Sequence, residues 1–386
     1  MIDVLVVGGI YRERLLGPYP RSRLGGSGLY AAVAAASLGA STALAAAVGA
    51  DDADELGAIL RKAGVEPAAI EIMPGSSAAF VIEDEGEVQT PSVQFEDAHA
   101  QPVLTHDPPQ ARIVLAFGMP DLDPFASGLI ARWVDRQSTL IWDRQGSLSR
   151  TKDAVAACGV AAPSRIYVAN VGEAAQEVGG ATPRELIENH PLPGFDYALL
   201  KNGRWGTTLL SGRERTAIPA FRVAASTTIG SGDVFAGALA AGLARGDDFR
   251  VASIDAAAAA AVAILEASPL LDSSARSKVD KMLATGDGRY VDPAYLGAVA
   301  VSIEAAHDAT VDPTVAQLRA RLRNVGLGDV GPGTTTTIGV ALHSDERGIV
   351  ANLSSHTGST QTIEVGATPD LGLLIDAIAE LVEAAQ

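Results

Sequence analysis

Short apolar runs alternate along the chain with longer segments in which apolar residues recur every three or four positions. The short runs are bounded by turn-forming residues, as is typical of buried strands, and the longer segments have the period of a helix. The predicted strands are Val4–Val7, Thr42–Val48, Ile113–Phe117, Thr139–Trp142, Ile166–Ala169 and Tyr197–Leu200, and the predicted helices are Leu29–Leu38, Ala53–Ala63, Pro124–Asp135 and Pro183–Glu188. This alternation predicts an α/β domain with a doubly wound, mostly parallel sheet.

One hairpin breaks the alternation in the first third of the chain. Ala78–Glu83 and Val88–Gln94 have alternating side chains and flank the turn signal Asp84–Gly86. We expect this hairpin to stand out from the main sheet and to pair with the segment Tyr11–Leu24, which shows no regular pattern. The two segments together therefore predict a small β layer beside the main domain.

A second hairpin is predicted from Thr207–Ser211 and Thr216–Ile218. It is followed by two long segments of helical character, Asp233–Ala244 and Asp248–Ala267, with little strand between them. The end of the main domain is therefore predicted to be an antiparallel sheet edge followed by packed helices.

The pattern changes again near residue 290, where a separate α+β unit of residues 290–386 is predicted to begin. The predicted helices of this unit are Ala294–His307 and Pro313–Val325, the predicted strands are Thr337–Leu342, Ile349–Leu353 and Thr360–Val365, and a last helix starts at Thr368–Asp370. The histidines and acidic residues of this unit have no close metal-ligand spacing. We therefore expect the unit to serve dimerisation, as a homodimer, or regulation, while residues 1–289 form the main domain.

Charge and cysteine content exclude several classes of partner. The chain of 386 residues carries 29 basic and 46 acidic side chains, a net charge of −17, which repels nucleic acid and anionic membrane surfaces. Its single cysteine, Cys158, excludes a disulfide framework within one chain. The apolar N-terminal run lacks the basic residues of a signal peptide, and the Ala-rich run near residue 260 is too short to span a bilayer. The sequence therefore predicts a cytoplasmic protein without nucleic-acid or membrane partners.

A glycine-rich stretch early in the second half of the chain carries the candidate chemistry. Gly230, Ser231, Gly232 and Asp233 directly precede an apolar-periodic helix. Glycines let several backbone N–H groups converge on one point, and the helix dipole adds to the attraction for phosphate oxygens. Asp233 could take the proton from an attacking hydroxyl, which is the acid–base part of phosphoryl transfer. Taken alone, however, the stretch fits an ordinary loop and helix cap at least as well.

A second motif some two hundred residues earlier changes this balance. Leu24–Ala32 contains Gly25-Gly26-Ser27-Gly28 and is followed by a helix, a strand and the acidic stretch Gly49–Asp52. This arrangement resembles the N-terminal signature of the ribokinase-like (PfkB) carbohydrate kinases, and Thr227–Asp233 resembles their C-terminal signature. The pair is much more specific than either motif, and the resemblance covers about residues 1–285.

The resemblance implies a ribokinase-like fold whose small β lid comes from about residues 11–24 and 77–99. It further implies an ATP-dependent, Mg²⁺-requiring kinase that phosphorylates a hydroxyl of a sugar, sugar phosphate or nucleoside. By this similarity, the catalytic groups are the base Asp233 and an anion hole formed by the amides of Gly230, Ser231 and Gly232. The residues that it assigns to substrate binding are Glu13, Gly25, Gly26, Ser27 and Tyr30, and those that it assigns to nucleotide binding are Lys201, Gly203, Gly206 and Thr228.

Asn170 and Glu173 resemble the family's Asn-x-x-Glu motif, which organises Mg²⁺ and phosphate through water. Each of these assignments has a structural alternative. Asn170 and Glu173 also fit the start of a helix, Lys201 also fits a solvated loop charge, and Gly25 and Gly26 also fit a tight turn. Asp143, at the end of another predicted strand, fits a polar lining of the site and a surface turn about equally well.

Four positions depart from the family pattern. Ser231 stands where the signature has alanine. Thr227 stands where the signature has an aspartate often tied to a monovalent cation, which counts against activation by K⁺. Glu13 aligns with the aspartate that holds sugar hydroxyls, and Tyr30 stands where many relatives have asparagine. Arg12 and Arg14 flank Glu13 and could neutralise its carboxylate, which would then not be available to hydrogen-bond a sugar. These changes concern substrate recognition, so the acceptor does not follow from the resemblance.

The departures keep a second class of function open beside the kinase. The alternative is a non-catalytic, ribokinase-fold protein that binds a sugar or nucleotide in a regulatory role. A dinucleotide-binding dehydrogenase is a weaker third interpretation, because Gly25–Gly28 lies too far from the first strand and no acidic residue closes a second strand in the way that fingerprint requires.

Overall fold

The computed structural model describes residues 1–16, 21–84, 89–94, 109–118, 134, 138–144, 162–177, 194–224, 227–291, 299–305, 315, 318, 336–345, 348–355, 360–366, 374 and 377–382. The chain forms two compact units, one of Met1–Glu173 with His190–Tyr290 and one of Ala174–Asn189 with Val291–Gln386. A functional boundary at residue 290 stays a prediction, as does a role of the second unit in dimerisation or regulation. Cys158 and nearly all of the predicted helices Pro124–Asp135, Pro183–Glu188 and Pro313–Val325 lie outside the described residues.

The first unit contains fifteen described strands, and six described α-helices begin within it. The strands are β1 (Ile2–Val7), β2 (Tyr11–Leu16), β3 (Arg21–Gly25), β4 (Thr42–Gly49), β5 (Glu66–Met73), β6 (Ala79–Asp84), β7 (Gln89–Gln94), β8 (Ala111–Phe117), β9 (Thr139–Asp143), β10 (Arg165–Asn170), β11 (Tyr197–Lys201), β12 (Thr207–Ser211), β13 (Glu214–Ile218), β14 (Ala220–Phe221) and β15 (Gly288–Arg289). The helices are α1 (Ser27–Ser37), α2 (Ala53–Ala63), α3 (Val171–Glu177), α4 (Ser231–Arg245), α5 (Phe249–Leu265) and α6 (Ala275–Thr285).

The central sheet of the first unit has nine strands in the order β13-β12-β11-β10-β9-β8-β1-β4-β5. Seven of these strands, β11-β10-β9-β8-β1-β4-β5, pair with their neighbours in parallel. At the other edge, β12 pairs antiparallel with both β11 and β13. The central strand β1 ends in Val4–Val7, whose side chains are at most 2% exposed, because a parallel sheet is covered on both faces. The α/β, doubly wound class predicted from the apolar runs is confirmed.

Helices α1 and α4 pack against each other on this sheet, and both consist mostly of alanine, glycine and leucine. A Cβ built on Gly237 of α4 would lie 2.2 Å from the carbonyl oxygen of Ala31 in α1, so the two backbones touch where glycine leaves space. Such an approach requires small residues along nearly the whole contact face. The packing therefore brings the starts of the two helices together, one from each end of the unit.

A second sheet has the order β3-β2-β6-β7, with β2 parallel to β6 and the other neighbours antiparallel. The predicted pairing of Ala78–Gln94 with the Tyr11–Leu24 segment is thus confirmed. That segment, however, is not irregular, since it forms β2 and β3. The strand pattern of β2 is disguised because a polar residue, Glu13, occupies an inward position beside the buried Leu15.

The second unit carries a sheet of four described strands in the order β16-β17-β18-β19. These strands are β16 (Val299–Ala305), β17 (Thr336–Asp345), β18 (Gly348–Ser355) and β19 (Thr360–Gly366). The last three agree with the predicted strands, but the predicted helix Ala294–His307 is wrong over Val299–Ala305. Alanines around this segment favour a helix locally, whereas parallel pairing with β17 fixes it as a strand. Among the described residues, no helix is long and apolar enough to cross a membrane.

The contact between α1 and α4 predicts how a single methyl group affects stability. Gly237→Ala should lower the free energy of unfolding by roughly 1–3 kcal/mol, because the added Cβ must push the two backbones apart. Gly57→Ala in α2 is the matched control, since its Cβ would meet the flexible end of Arg61 at 3.2 Å and the change raises helix propensity. Urea unfolding of both variants measures the difference, and equal effects would contradict the close packing.

Candidate active site

The carboxyl ends of three adjacent parallel strands carry the first group of candidate side chains. Asp143 ends β9, Asn170 ends β10 and Lys201 ends β11. Asn170 is the direct partner of Lys201 in the sheet register, and Val168 of the same strand is the partner of Asp143. Parallel strands end at one edge of the sheet, which is where α/β proteins place their ligands. The structure thus brings together residues that the sequence separates widely.

The glycine-rich loop reaches the same edge of the sheet. A Cβ built on Gly232 would lie 3.3 Å from Nζ of Lys201, so the amine lies directly beside the start of α4. Gly230 is the N-cap of this helix with φ 78°, and a Cβ there would lie 2.6 Å from Pro269. A side chain at Gly230 would therefore be excluded both by the backbone conformation and by space.

Two hydrogen bonds inside the loop engage backbone N–H groups that would otherwise be able to donate to a ligand. The Ser231 N–H donates to the carbonyl oxygen of Thr228 at 3.1 Å, and the Ile229 N–H donates to Oγ1 of Thr227 at 3.2 Å. Thr227 is buried, so its hydroxyl organises the loop without the charge of the aspartate that the family pattern has there. The Ser231 amide is engaged within the chain, and the predicted anion hole therefore depends chiefly on its neighbours at the start of α4.

Asp143 and Lys201 form a buried ion pair, with 2.9 Å between Nζ and Oδ2. Burial raises the pKa of Asp143 to about 7, an effect that Lys201 opposes and Glu173 increases. Burial would lower the pKa of Lys201, but the negative charges of Asp143, Glu173 and Asp233 outweigh it and raise that pKa. Lys201 is therefore held as a cation at the end of the loop rather than in solvent.

Asn170 and Glu173 cap the start of α3 reciprocally. The Asn170 N–H donates to Oε2 of Glu173 at 2.9 Å, and the Glu173 N–H donates to Oδ1 of Asn170 at 2.7 Å. This is a capping box, so the helix-start interpretation of the motif is correct as far as the geometry goes. The negative charge of Glu173 nevertheless acts on the pKa values of both Asp143 and Lys201, which places it at the same edge. A role in organising Mg²⁺ through water stays a prediction.

Glu13, in strand β2 of the four-stranded sheet, is buried, and its carboxylate is hydrogen-bonded within the protein. Its Oε2 accepts hydrogen bonds from Nε of Arg23 at 2.9 Å and from the hydroxyl of Tyr30 at 2.5 Å, and its Oε1 accepts from the Gly26 N–H at 3.2 Å. Arg12, which the sequence suggested as a neutralising group, instead pairs with Asp52 and Glu55. The residue that neutralises Glu13 is Arg23, and sequence analysis missed it.

Gly25, which precedes α1, leaves space for the side chains of Glu13 and Tyr30. A Cβ built on Gly25 would lie 2.1 Å from the hydroxyl oxygen of Tyr30 and 2.5 Å from the carboxyl carbon of Glu13. Gly26 approaches the carbonyl oxygen of Gly9 in the same way, at 2.5 Å. Close neighbours within the protein, side chains at Gly25 and a backbone carbonyl at Gly26, are thus a sufficient reason for both glycines. Contact of Gly25, Gly26 and the buried Ser27 with a substrate stays a prediction.

Tyr30 joins the two sides of the candidate site. A Cβ built on Gly230 would lie 2.8 Å from Cδ2 of the Tyr30 ring, so the ring packs directly on the glycine-rich loop. Burial raises the pKa of Tyr30 well above its usual value, and the charges of Glu13 and Asp233 raise it further. Asp233 therefore acts electrostatically on both Tyr30 and Lys201.

The turn predicted to lie by a nucleotide is closed by its own backbone. The Asn202 N–H donates to the Gly206 carbonyl oxygen at 2.8 Å, and the Gly206 N–H donates to the Gly203 carbonyl oxygen at 3.2 Å. The turn directly follows Lys201, so it lies at the same strand end. Among the described residues, no group of three or more His, Cys, Asp or Glu side chains could hold a metal ion.

Comparison with known proteins decides the family. The model of the pfkB family of carbohydrate kinases matches residues 4–275. The chain belongs to this family. The glycine-rich loop and the Gly25–Gly28 stretch both lie within the matched residues. A catalytic role of the loop, rather than that of a helix cap, stays a prediction. No curated protein sequence matches the chain.

Solved structures of PfkB relatives have the same fold. Aminoimidazole riboside kinase from Salmonella enterica, complexed with aminoimidazole riboside and an ATP analogue, has a TM-score of 0.61 at 18% identity over 73% of this chain and 99% of that one. Ribokinase from Thermotoga maritima has a TM-score of 0.57 at 20% identity over 74% and 100%. A putative ribokinase II from E. coli, in complex with ATP and Mg²⁺, has a TM-score of 0.57 at 18% identity over 74% and 99%. Identity at this level establishes the fold.

The buried pair of the PfkB site predicts a dependence of stability on pH. Because the pKa of Asp143 is raised to about 7, the folded protein keeps a proton between about pH 4 and pH 7 that the unfolded chain releases. The contribution of Asp143 to the free energy of unfolding should therefore fall as the pH rises through this range. Asp143→Asn, which cannot ionise, should lack that fall.

Urea unfolding of the wild type and of Asp143→Asn at pH 5 and pH 8 measures this effect. The wild type should lose stability relative to the variant on going to pH 8, by about 1.4 kcal/mol for each pH unit between pH 5 and the raised pKa. A difference that is constant with pH would contradict a raised pKa at Asp143.

Proposed function

We propose that the chain is an ATP-dependent phosphotransferase that phosphorylates a hydroxyl group of a sugar, sugar phosphate or nucleoside. The observation that carries this proposal is the position of Asp233 in the first turn of α4. Its charge acts on the cation Lys201 and on Tyr30, which is hydrogen-bonded to Glu13 beside Arg23. A carboxylate between a cation for phosphate and a pocket for the acceptor is the arrangement that hydroxyl phosphorylation needs.

In this proposal, Asp233 accepts the proton of the acceptor hydroxyl while the start of α4 stabilises the negative charge that develops on the transferred group. The amides of Gly230 and Gly232 and the helix dipole supply this stabilisation. The Ser231 amide takes a smaller part, because it donates to Thr228 in the loop. General base catalysis of this kind requires a carboxylate within hydrogen-bond reach of the hydroxyl.

The part of the site around Lys201 and Gly232 suits the phosphates of a nucleoside triphosphate. Lys201 is a cation held in place by Asp143, and its amine lies beside Gly232, where phosphate oxygens would approach the helix start. ATP and Mg²⁺ are present in the putative ribokinase II from E. coli that shares the fold. We assign the nucleotide to Lys201, Gly203, Gly206 and Thr228, and the water-mediated contacts of Mg²⁺ to Asn170 and Glu173.

A neutral hydroxyl, Thr227, organises the loop where the family pattern has an aspartate. The loop therefore does not need the carboxylate that is tied to a monovalent cation, and we propose activity that is independent of K⁺. The same departure, together with the occupied Glu13, is the observation that favours the second candidate function, a non-catalytic protein that binds a sugar or a nucleotide.

Replacement of the proposed base separates the two candidate functions. With Mg²⁺ and ATP and a panel of sugars, sugar phosphates and nucleosides, Asp233→Asn should lower kcat by about 10²- to 10⁴-fold, because the hydroxyl proton has no acceptor. Nucleotide affinity, measured by calorimetry, should change little. The matched control is Asp54→Asn, an exposed aspartate in the first turn of α2, which should leave kcat unchanged.

Equal turnover in Asp233→Asn and wild type would overturn the assignment of the base. Binding of a nucleotide or a sugar without turnover of any acceptor would instead favour the non-catalytic protein.

A further inference from the structure

The glycine-rich loop contains one large apolar side chain, that of Ile229, and this side chain is buried. The described core that the nine-stranded sheet shares with its helices does not include it. Ile229 instead belongs to a separate apolar cluster with Leu15 of β2 and with Phe80 and Ile82 of β6. These three partners lie in the sheet β3-β2-β6-β7, which we call the lid sheet. The apolar packing of the loop therefore depends on the lid sheet.

The register of the lid sheet gathers these partners on one of its faces. Strands β2 and β6 pair in parallel with Leu15 beside Ile82. Tyr11 packs against the same cluster, with its ring edge-on to that of Phe80 and 4.4 Å between the ring centroids. Side chains alternate along a strand, so Val81 points to the opposite face from Phe80 and Ile82. The loop thus packs on a continuous apolar face to which Val81 does not contribute.

The backbone of the loop needs such a contact to keep a single conformation. Gly230 directly follows Ile229 and has φ 78°, and glycine is the residue with the most conformational freedom. The hydrogen bonds within the loop are short-range, from the Ile229 N–H to Thr227 and from the Ser231 N–H to Thr228. Ile229 lies between these two bonds, so the packing of its side chain fixes the backbone at the point where glycine leaves it free.

We propose that Ile229 is a positioning residue, through which the lid sheet stabilises the conformation of the glycine-rich loop. Its effect on turnover rests on the kinase function proposed above, whereas its effect on the loop backbone does not. Backbone N–H groups stabilise a developing charge only if they are fixed in place before the reaction, and a small displacement of reacting groups lowers the rate by a large factor. Ile229 therefore controls kcat through the backbone of the loop.

Truncation of the lid-sheet partner tests this role without changing the loop. Ile82→Ala should lower kcat by about tenfold or more at saturating ATP and acceptor, because the loop loses its apolar support. The KM for ATP should change by less than about threefold, since the contact acts on the reacting state. The matched control is Val81→Ala, which truncates a side chain with the same 8% exposure on the opposite face and should leave kcat unchanged. Equal losses of kcat in both variants would overturn the proposal.

A double-mutant cycle tests whether the two side chains act through one contact. Ile229→Ala should lower kcat as Ile82→Ala does, and the conservative Ile229→Val should keep most of the activity. Because both alanine variants remove the same contact, the double variant should lose no more than the larger single loss. If the two fold-losses multiply instead, the side chains act independently and Ile229 does not transmit the effect of the lid sheet.

Amide hydrogen exchange tests the effect on the loop without requiring turnover. The Ile229 and Ser231 amides are hydrogen-bonded within the loop and report its conformation directly. In Ile82→Ala these amides should exchange about tenfold or more faster than in the wild type, whereas Val81→Ala should leave their rates unchanged. Equal acceleration in both variants would mean that the lid sheet is generally destabilised, and would contradict the specific contact.

The outcomes for this inference and for the kinase proposal differ. If Ile82→Ala accelerates exchange in the loop but the wild type phosphorylates no acceptor, the kinase proposal fails and the contact between lid sheet and loop stands. If an Asp233-dependent reaction is found and Ile82→Ala changes neither kcat nor loop exchange, the kinase proposal stands and the positioning role of Ile229 fails. The comparison of Ile82→Ala with Val81→Ala decides the matter even if Ile229→Ala does not fold.

Discussion

The close approach of α1 and α4 is the contact on which the rest of the candidate site depends. Gly237 lacks a side chain at the point where the backbone of Ala31 passes, so the two helices lie together along small residues. Each helix starts in one of the two family motifs. Their packing therefore places the Tyr30 ring on Gly230, although about two hundred residues separate them in the chain. Without this contact neither motif would form more than a turn before a helix.

Two buried ion pairs give the site its charges. Asp143 holds Lys201 beside the start of α4, and Glu13 holds Arg23 beside Tyr30. The chain as a whole carries a net charge of −17, so its average field repels anions. Locally fixed cations offset that repulsion at the candidate site. Burial makes each pair costly to break, since one partner alone would be an uncompensated charge, and this cost keeps the cations in position.

The departures from the family pattern acquire a physical meaning in this arrangement. A hydroxyl at Thr227 satisfies the loop amide that it faces, so the loop closes without a carboxylate. Glutamate at position 13 is long enough to reach Arg23, Tyr30 and the Gly26 backbone together. The three solved structures described above share 18–20% identity with the chain, a level that establishes the fold.

The sequence by itself determined the parallel sheet, most of its helices and the family, because hydrophobic periodicity is a local property and the order and separation of the two motifs can be read directly along the chain. It also found Asp143, Lys201 and Glu13 as separate candidates. Their partners were decided by tertiary structure, since the register between β2 and β3 joins Glu13 to Arg23, and the order of β9 to β11 joins Asp143 to Lys201. The strand Val299–Ala305 was decided in the same way, because pairing with β17 outweighs the local preference for a helix. Side-chain pairing depends on which strands become neighbours, and no local pattern contains that information.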